Sequence, residues 1–504
     1  MFWVMNKKPE TNRTELAWQP ELRPAIPTIY GPIEWRAFLR QLVEIDRLLL
    51  AGIESDFVRE VCSALPTDCS QARRNFCAKN ASLSLRVNLA RKLLGLSARK
   101  FAMRAPADEL LRWFLCVGPL ELKATPSKST VERCDKILPP ERMDAFNRRL
   151  FAQCCDKQTA RALGLGAPVE FTDAYIDATC LKATIHFPID WVLLRDAART
   201  LMKAVACIRR HGLRQRMPQE PLRFLGAMNK LAMAMSASAR KPGAKKQRKK
   251  ILRQMKTLTR TIESHARAHL KLLREARERT GLSEKQAAQI AARIERILEQ
   301  LPAAIKQAHE RIIGGRPVKN EDKILSLYED GLSVLLRGKA GAQVEFGREM
   351  LLCETKQGLV ADYALLEQGE NANEAFRDNL DRLEAQGILP EAAWTDRGLN
   401  NQRNRKHLEQ KGVRSGLCER DPAKLRERLE NEEGYAEGLR RRGSTEARIA
   451  IIKNVFTGNP SKAKGSEHTR VALGWAVLAH NLWVLARIEL ARDETRKKKK
   501  RKPR

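Results

Sequence analysis

The chain has 504 residues, of which 43% are hydrophobic, so it can bury a sizeable core and is not an intrinsically disordered protein. It carries 94 Lys and Arg residues against 60 Asp and Glu, a formal charge of +34. Because self-repulsion on this scale favours a polyanionic partner, composition points first to nucleic acid. An anionic membrane surface and a merely solubilising charge are the alternatives. Aromatic residues make up only 5%, which disfavours an RNA-binding sheet built on base stacking.

Neither a disulfide framework nor a membrane span is indicated. The eleven cysteines include no Cys-x-x-Cys pair and no zinc-ligand spacing, which is typical of reduced thiols in a cytosolic protein. The first eight residues lack the order of a signal peptide. The longest apolar run, residues 471–490, contains His480, Asn481 and Arg487, which favours a core helix over a membrane span.

The first third of the chain predicts a basic, all-helical domain. Residues 1–34 are rich in proline and indicate an irregular lead-in. Residues 35–160 show apolar positions at helical spacing and predict an N-terminal helical domain. Its basic side chains indicate DNA-end binding and dimerisation, with a solvated basic bundle as the alternative; they are Arg73, Arg74, Arg86, Arg91, Lys92, Arg99, Lys100 and Arg104.

A β-favouring stretch at residues 170–188 is followed by a long helical segment. Residues 175–180 predict a strand that contains Asp177, and residues 184–187 predict its continuation into a hairpin. His186 is either a metal ligand or a structural histidine, and the pattern favours the second. Residues 189–319 predict an inserted helical arm, for which a helical hairpin is one possible form. A dense basic run there is predicted to face DNA: Lys245, Lys246, Arg248, Lys249 and Lys250.

Residues 320–490 predict the rest of a mixed sheet. Short strands are indicated at residues 332–336, 343–346, 349–354, 359–366, 388–395 and 412–417, with a helix at 372–386. Helices follow at residues 422–432, 437–456 and 469–491, and residues 491–504 predict a basic disordered tail. With residues 170–188, this segment predicts an α/β fold whose mixed sheet is flanked by helices and interrupted by the insertion.

Three acidic residues in this framework predict a metal site. Asp177 lies inside an apolar strand, Asp396 follows another at residues 388–395, and Glu446 lies on a late helix. A carboxylate at the end of a buried strand is costly unless something neutralises it. Carboxylates that converge without a metal repel one another, and a divalent cation removes that penalty. On the same helix, Arg442 and Lys453 share a face with Glu446, which indicates either phosphate contacts beside a metal ligand or a surface ion-pair ladder.

These residues fall into motifs that resemble those of the DDE transposases of bacterial insertion sequences. Asp177-Ala178-Thr179 is similar to the first-aspartate motif, and Asp396-Arg397-Gly398 is similar to the second, Asp-x-Gly. Arg442-x₃-Glu446-x₆-Lys453 is similar to the third signature, in which many relatives have a tyrosine where this chain has Leu439; Tyr435 lies four residues earlier. Further similarity lies in residues 93–114, 337–347 and 475–482.

The resemblance implies a ribonuclease H-like catalytic core, preceded by the helical domain, that cleaves transposon ends and joins the 3′-OH to target DNA. It implies that Asp177, Asp396 and Glu446 hold Mg²⁺ or Mn²⁺, with two ions expected. It further implies phosphate contacts by Arg442, Lys453 and Arg397. The implied partners are double-stranded DNA, namely terminal repeats and target, and a second copy of the chain. The implied location is the bacterial cytoplasm, at the nucleoid. A metal-dependent nuclease without strand transfer, and a non-catalytic DNA-binding descendant, are the alternatives.

Overall fold

A computed structural model describes residues 24–118, 125–238, 242–339 and 342–501, and the chain divides into two compact units. The larger unit is formed by the described parts of Met1–Leu181, Glu349–Leu366 and Glu370–Arg504. The smaller unit is formed by the described parts of Lys182–Arg348 and by Glu367–Gly369. The sequence assigned residues 35–160 to a domain of their own; in the structure they belong to the larger unit. Residues 1–23 of the predicted lead-in and residues 502–504 of the predicted tail lie outside the described residues.

The N-terminal part of the larger unit is helical. Its helices are α1 (Ile33–Leu48), α2 (Glu54–Cys62), α3 (Gln71–Leu93), α4 (Ala98–Arg104), α5 (Glu109–Phe114), α6 (Lys128–Cys134), α7 (Pro140–Cys155) and α8 (Lys157–Ala162). A π-helical segment, Leu49–Ile53, joins α1 to α2. Side-chain caps fix several starts: Ser97 accepts a hydrogen bond from the backbone N–H of Lys100, and Asp108 accepts one from Leu111.

Three cations in this region are internal rather than available to DNA. Arg86 is 1% exposed and forms ion pairs with Asp46 at 2.7 Å and Glu54 at 2.5 Å. Arg91 pairs with Asp135. Lys92 donates to two backbone carbonyls of the same unit, and burial lowers its pKa to about 8. The basic surface of this region is therefore smaller than the sequence predicts. Whether an arginine or a lysine is buried depends on tertiary packing, which the sequence of the helix alone does not show.

The sheet has six strands: β1 (Asp173–Lys182), β2 (Ser333–Lys339), β3 (Ala342–Glu354), β4 (Val360–Leu365), β5 (Ala392–Thr395) and β6 (Arg414–Leu417). Their order is β2-β3-β1-β5-β6, and β4 also pairs with β3. β3 is antiparallel to β2 and β4, whereas β5 is parallel to both β1 and β6. The predicted strand at residues 184–187 is wrong: the N–H of Ala183 donates to the carbonyl of Phe346, and the chain then leaves the sheet. Pro188, which has no N–H for a ladder, would also prevent the strand from continuing beyond residue 187.

Helices after the sheet strands complete the larger unit: α13 (Ala372–Ala385), α14 (Gln402–Gln410), α15 (Pro422–Asn431), α16 (Tyr435–Gly443), α17 (Thr445–Ile451) and α18 (Ser466–Arg501). A 3₁₀ turn, Arg397–Leu399, and a π-helical segment, Ile452–Thr457, lie between them. Helix α18 continues through residues 491–501, where the sequence indicated a disordered tail. Its buried first half provides the helical nucleus that the Lys- and Arg-rich end extends.

One hydrophobic core joins the N-terminal helices, the sheet and α18. Phe57 of α2 packs against Trp475 of α18 with ring centroids 5.5 Å apart, and both belong to the cluster that holds Ile176 of β1 and Leu351 of β3. Among the described residues, Ser466–Lys498 is long and apolar enough to cross a membrane. However, 78% of its apolar window is buried inside the protein, as in the core helix of a soluble protein.

The smaller unit contains a bundle of four helices: α9 (Asp190–Arg210), α10 (Pro221–Ala237), α11 (Ala244–Glu275) and α12 (Glu284–Ala308). They share one core, which includes Leu201, Met228, Ile262 and Ile294. The insertion is thus a bundle rather than a helical hairpin. Strand β2 and the first half of β3 form an antiparallel ladder in the same unit.

Candidate active site

Two adjacent parallel strands place the two aspartates of the predicted site near each other. Tyr175 of β1 pairs with Trp394 of β5; Asp177 lies two residues further along β1, and Asp396 directly follows β5. Asp177 is 6% exposed and its Oδ1 accepts a hydrogen bond from the N–H of Ala178 at 2.8 Å. Convergence of these two carboxylates therefore follows from strand pairing.

Asp396 caps the turn that follows β5. Its Oδ1 accepts hydrogen bonds from the N–H of Gly398 at 3.0 Å and of Leu399 at 3.3 Å. A Cβ atom at position 398 would lie 3.1 Å from that same oxygen, a tight contact. The glycine of the Asp-x-Gly motif thus leaves room for the carboxylate to cap the turn.

The third acid, Glu446, is exposed at the start of α17. The predicted helix 437–456 is interrupted at Ser444, so Glu446 and Arg442 lie on consecutive helices, α17 and α16. Burial raises the pKa of Asp177 to about 6; the charges of Asp396 and Glu446 act in the same direction, and that of Arg442 opposes them. The three carboxylates therefore share one electrostatic environment.

The carboxylates do not form a closed metal cage in this structure. Within the described part of the chain, no group of three or more His, Cys, Asp or Glu side chains is arranged to hold a metal ion. Instead, a Nη2 atom of Arg442 lies 2.7 Å from Oδ2 of Asp177. The guanidinium thus neutralises the most buried acid of the trio.

The other predicted phosphate-binding residues surround this pair. Lys453 donates from Nζ to Oγ1 of Thr179 at 3.3 Å, beside Asp177 on β1. Arg397 is exposed and lines a cavity of about 350 Å³ together with Asp396 and Arg442. Arg442 pairs with Asp177 of β1 rather than with an acid on its own helix, so a surface ion-pair ladder does not describe its contacts.

Many relatives have a tyrosine at the position of Leu439, and Tyr435 does not take over that position in this structure. It is fully buried, and its hydroxyl donates to the carbonyl of Leu417 at 2.9 Å. Its ring packs against Trp394 with centroids 6.0 Å apart. Tyr435 is therefore a core residue, while Leu439 lines the cavity beside Asp396.

A buried acid that the sequence analysis did not single out fixes α16 and α17. Glu354, at the end of β3, is completely buried and accepts from Arg441 of α16 at 3.2 Å and from Arg448 of α17 at 3.1 Å. These arginines flank Arg442 and Glu446 in the chain. The signal was available, since Glu354 follows an apolar strand as Asp396 does.

His480 extends this network into the core. Its Nε2 lies 3.2 Å from Nη1 of Arg448, which can only donate, and its Nδ1 lies 3.3 Å from Oδ1 of Asn481. These partners assign the neutral tautomer with the proton on Nδ1. Burial, together with the Arg448 charge, lowers the pKa of His480 to about 3.

We expect His480 to make the protein acid-sensitive. In the unfolded chain a histidine binds a proton below pH 6.5, whereas folded His480 does so only near pH 3. The unfolded state therefore binds more protons in between, and the free energy of unfolding decreases as pH falls. The decrease amounts to about 2 kcal/mol by pH 5.

Denaturant unfolding at pH 7.5 and at pH 5 measures this decrease in the free energy of unfolding. The decrease should be smaller for His480→Gln than for the wild type, whereas His468→Gln, at an exposed histidine, should show the wild-type decrease. An equal decrease in all three proteins would contradict a lowered pKa for His480.

The residues predicted to bind DNA on the insertion are only partly free. Lys245, Lys246 and Lys250 are exposed at the start of α11, and Lys249 is half-buried. Arg248 stacks over the ring of Trp191 at 4.7 Å. In the same unit, Nε2 of His186 lies 2.9 Å from Oδ2 of Asp196, which supports its interpretation as a structural histidine.

The architecture defines a class. In the mixed sheet, β5 lies between β1 and β6 and is parallel to both, whereas β3 and β4 form an antiparallel pair. Asp177 lies within β1, and Asp396 directly follows β5. This arrangement confirms the predicted ribonuclease H-like α/β fold. The family model described as "Transposase DDE domain" matches residues 337–482, a range that includes Asp396, Arg442 and Glu446. This part of the chain is a DDE-type transposase domain, which confirms the resemblance to DDE transposases. The motif around Asp177 lies outside the matched residues. No curated protein and no solved structure matches the chain.

Proposed function

We propose that the protein is a transposase that binds transposon ends, cleaves the DNA there and joins the 3′-OH to target DNA. The observation that supports the proposal best is the approach of Asp177 and Asp396 on adjacent parallel strands. Glu446 is near enough for its charge, like that of Asp396, to raise the pKa of Asp177. Arg442 and Lys453 contact the same strand that holds Asp177. Acids that can hold cations, beside basic side chains that can hold phosphates, suit phosphoryl transfer in DNA.

The donor set fits Mg²⁺ or Mn²⁺. All three side chains offer carboxylate oxygens, which these ions prefer. Burial is the main cause of the raised pKa of Asp177, and the charges of Asp396 and Glu446 add to it. A divalent cation bound to the carboxylates would offset both costs. Asp177, Asp396 and Glu446 would hold the metal, with two ions expected. When bound, the metal supplies charge stabilisation to the attacking and leaving oxygens at phosphorus.

Arg442 links DNA binding to the acids. In the DNA-free protein it pairs with Asp177, and a DNA phosphate is a competing anion for the same guanidinium. When a DNA phosphate pairs with Arg442, the ion pair with Asp177 is broken, and the Asp177 carboxylate would then be available to a cation. Lys453 and Arg397 add phosphate contacts on either side and hold the strand against the acids.

The partners follow from the charge and from the reaction. A formal charge of +34 suits a polyanion, and the proposed partner is double-stranded DNA: terminal repeats and target. Two transposon ends have to be held together, so a homodimer is proposed. The bacterial cytoplasm, at the nucleoid, is the proposed location, and Lys245, Lys246, Arg248, Lys249 and Lys250 are proposed to contact the DNA backbone.

A non-catalytic DNA-binding protein is the second candidate. It is favoured by the ion pair between Arg442 and Asp177 and by the lack, among the described residues, of a ready-made group of metal ligands. In this account, Arg442 would keep Asp177 neutralised permanently, and DNA binding would not release it.

A plasmid assay separates the candidates. The DNA that flanks the gene on both sides is placed on a supercoiled donor plasmid and incubated with the protein, a target plasmid and Mg²⁺ or Mn²⁺, with a chelator as control. Metal-dependent joined products are expected for the transposase. Hydrolysed ends without joined product would instead identify a nuclease, and binding without either product would identify the non-catalytic protein.

A further inference from the structure

A basic groove lies on the smaller unit, between helices α9 and α12 of the four-helix bundle. It is a cavity of about 630 Å³, and five of its lining residues define it here: Arg199, Lys203, Arg293, Arg296 and Tyr328. We propose that this basic groove binds the phosphodiester backbone of double-stranded DNA. The proposal rests on the proposed function for the presence of DNA, and adds a contact site that the sequence motifs did not indicate.

Three cations of the basic groove are free to meet an anion. Arg199 and Lys203 are four residues apart on α9 and so share one face, and Arg293 comes from α12. All three are exposed, and within the described part of the chain none of them forms an ion pair. Like charges gathered around a cavity repel one another, and a phosphate backbone relieves that repulsion.

The other two residues shape the basic groove. Nη2 of Arg296 donates to the carbonyl of Tyr328 at 2.9 Å and pairs with Asp330 at 3.1 Å, so this arginine is held in place. The Tyr328 hydroxyl lies 2.9 Å from Oγ1 of Thr200 and donates to the carbonyl of Asp196 at 3.2 Å. Its ring, with the residue 40% exposed, is therefore fixed as an apolar wall. A fixed ring beside free cations suits a sugar-phosphate strand, whose sugars pack on the ring while its phosphates meet the cations.

The basic groove is separate from the basic run at the start of α11. The cavity beside that run is lined by Trp191, Lys245 and Arg248, and shares no lining residue with the basic groove. None of the described residues that line the basic groove is acidic. The smaller unit therefore offers DNA two distinct sets of cations.

The experiment compares the salt dependence of DNA binding by the full-length protein and two triple variants. In Arg199→Gln/Lys203→Gln/Arg293→Gln the basic groove loses its free cations. In Arg214→Gln/Arg216→Gln/Lys285→Gln three exposed cations elsewhere on the same unit are removed. Affinity for a random 30-base-pair duplex is measured across a salt series, and thermal unfolding confirms that both variants fold.

The expected result is a slope of log affinity against log salt that is shallower by about 2.7 in the groove variant, because each phosphate that a cation no longer neutralises reduces the slope by about 0.9. The control variant should keep the wild-type slope. Equal slopes in the two triple variants would overturn the proposal. If the slopes were equal but the wild-type protein formed joined products in the plasmid assay, only the assignment of the basic groove to DNA would be wrong, and the proposed function would not be affected.

Lysine footprinting tests the same site without substitutions. In the wild-type protein, duplex DNA should protect Lys203 from acetylation and leave Lys285 reactive. Inorganic phosphate at equal ionic strength should protect neither lysine. Protection of Lys203 by inorganic phosphate to the same extent as by DNA would identify a small-anion site and overturn the assignment to the DNA backbone.

Discussion

Replacing Asp396 with asparagine is expected to abolish strand cleavage and joining while leaving the fold and DNA affinity intact. Asparagine keeps an oxygen that can accept the hydrogen bonds from Gly398 and Leu399, so the turn after β5 is preserved. It removes the negative charge that a divalent cation needs. Loss of several kcal/mol of transition-state stabilisation corresponds to a rate reduction of about 1000-fold or more. Joined product and duplex affinity are measured on the same preparation.

The control for this variant is Asp378→Asn, which removes an equal charge from an exposed position on α13. It should join DNA at the wild-type rate. Joining at the wild-type rate by Asp396→Asn would show that Asp396 is not catalytic and would contradict the three-carboxylate site.

Replacing Arg442 with glutamine is expected to have opposite effects on metal binding and on DNA joining. In the DNA-free protein the variant should bind Mn²⁺ about tenfold more tightly, because the cation that holds Asp177 at 2.7 Å is gone. Strand joining should nevertheless fall, because glutamine cannot replace the proposed charged contact to a DNA phosphate. Mn²⁺ titration followed by electron paramagnetic resonance measures the first effect, and the plasmid assay measures the second.

Arg440→Gln, at an exposed position of equal charge on the same helix, is the matched control and should bind Mn²⁺ as the wild type does. If Arg442→Gln and Arg440→Gln had the same Mn²⁺ affinity, Arg442 would not compete with the metal for Asp177. The account of how DNA binding releases the acid would then be wrong, although the carboxylates could still form the site.

The sheet and the approach of two acids could be predicted because local patterns carry them. Apolar stretches around Asp177 and before Asp396 predict buried strands, and parallel pairing of β1 with β5 then places the two carboxylates near each other. The glycine of the predicted Asp-x-Gly motif also agrees with the structure, since a side chain at position 398 would crowd the Asp396 carboxylate. Sequence periodicity likewise predicted the core helix around Trp475.

Long-range packing determined the rest. Nothing local distinguishes Arg86, buried against Asp46 and Glu54, from an arginine that faces solvent. The insertion is a four-helix bundle because faces of distant helices share one core, which periodicity within each helix does not specify. The ion pair between Arg442 and Asp177 joins residues far apart in the chain, so helical spacing alone could not indicate it.

The most direct test of the proposed metal site is anomalous diffraction from crystals of the protein bound to transposon-end DNA in Mn²⁺. We expect a Mn²⁺ peak about 2.1 Å from carboxylate oxygens of Asp177 and Asp396, the distance typical of Mg²⁺. We also expect Glu446 to face that peak and Arg442 to contact a DNA phosphate. A complex with DNA in place, Arg442 still paired with Asp177 and no metal peak between the acids would contradict the proposed site.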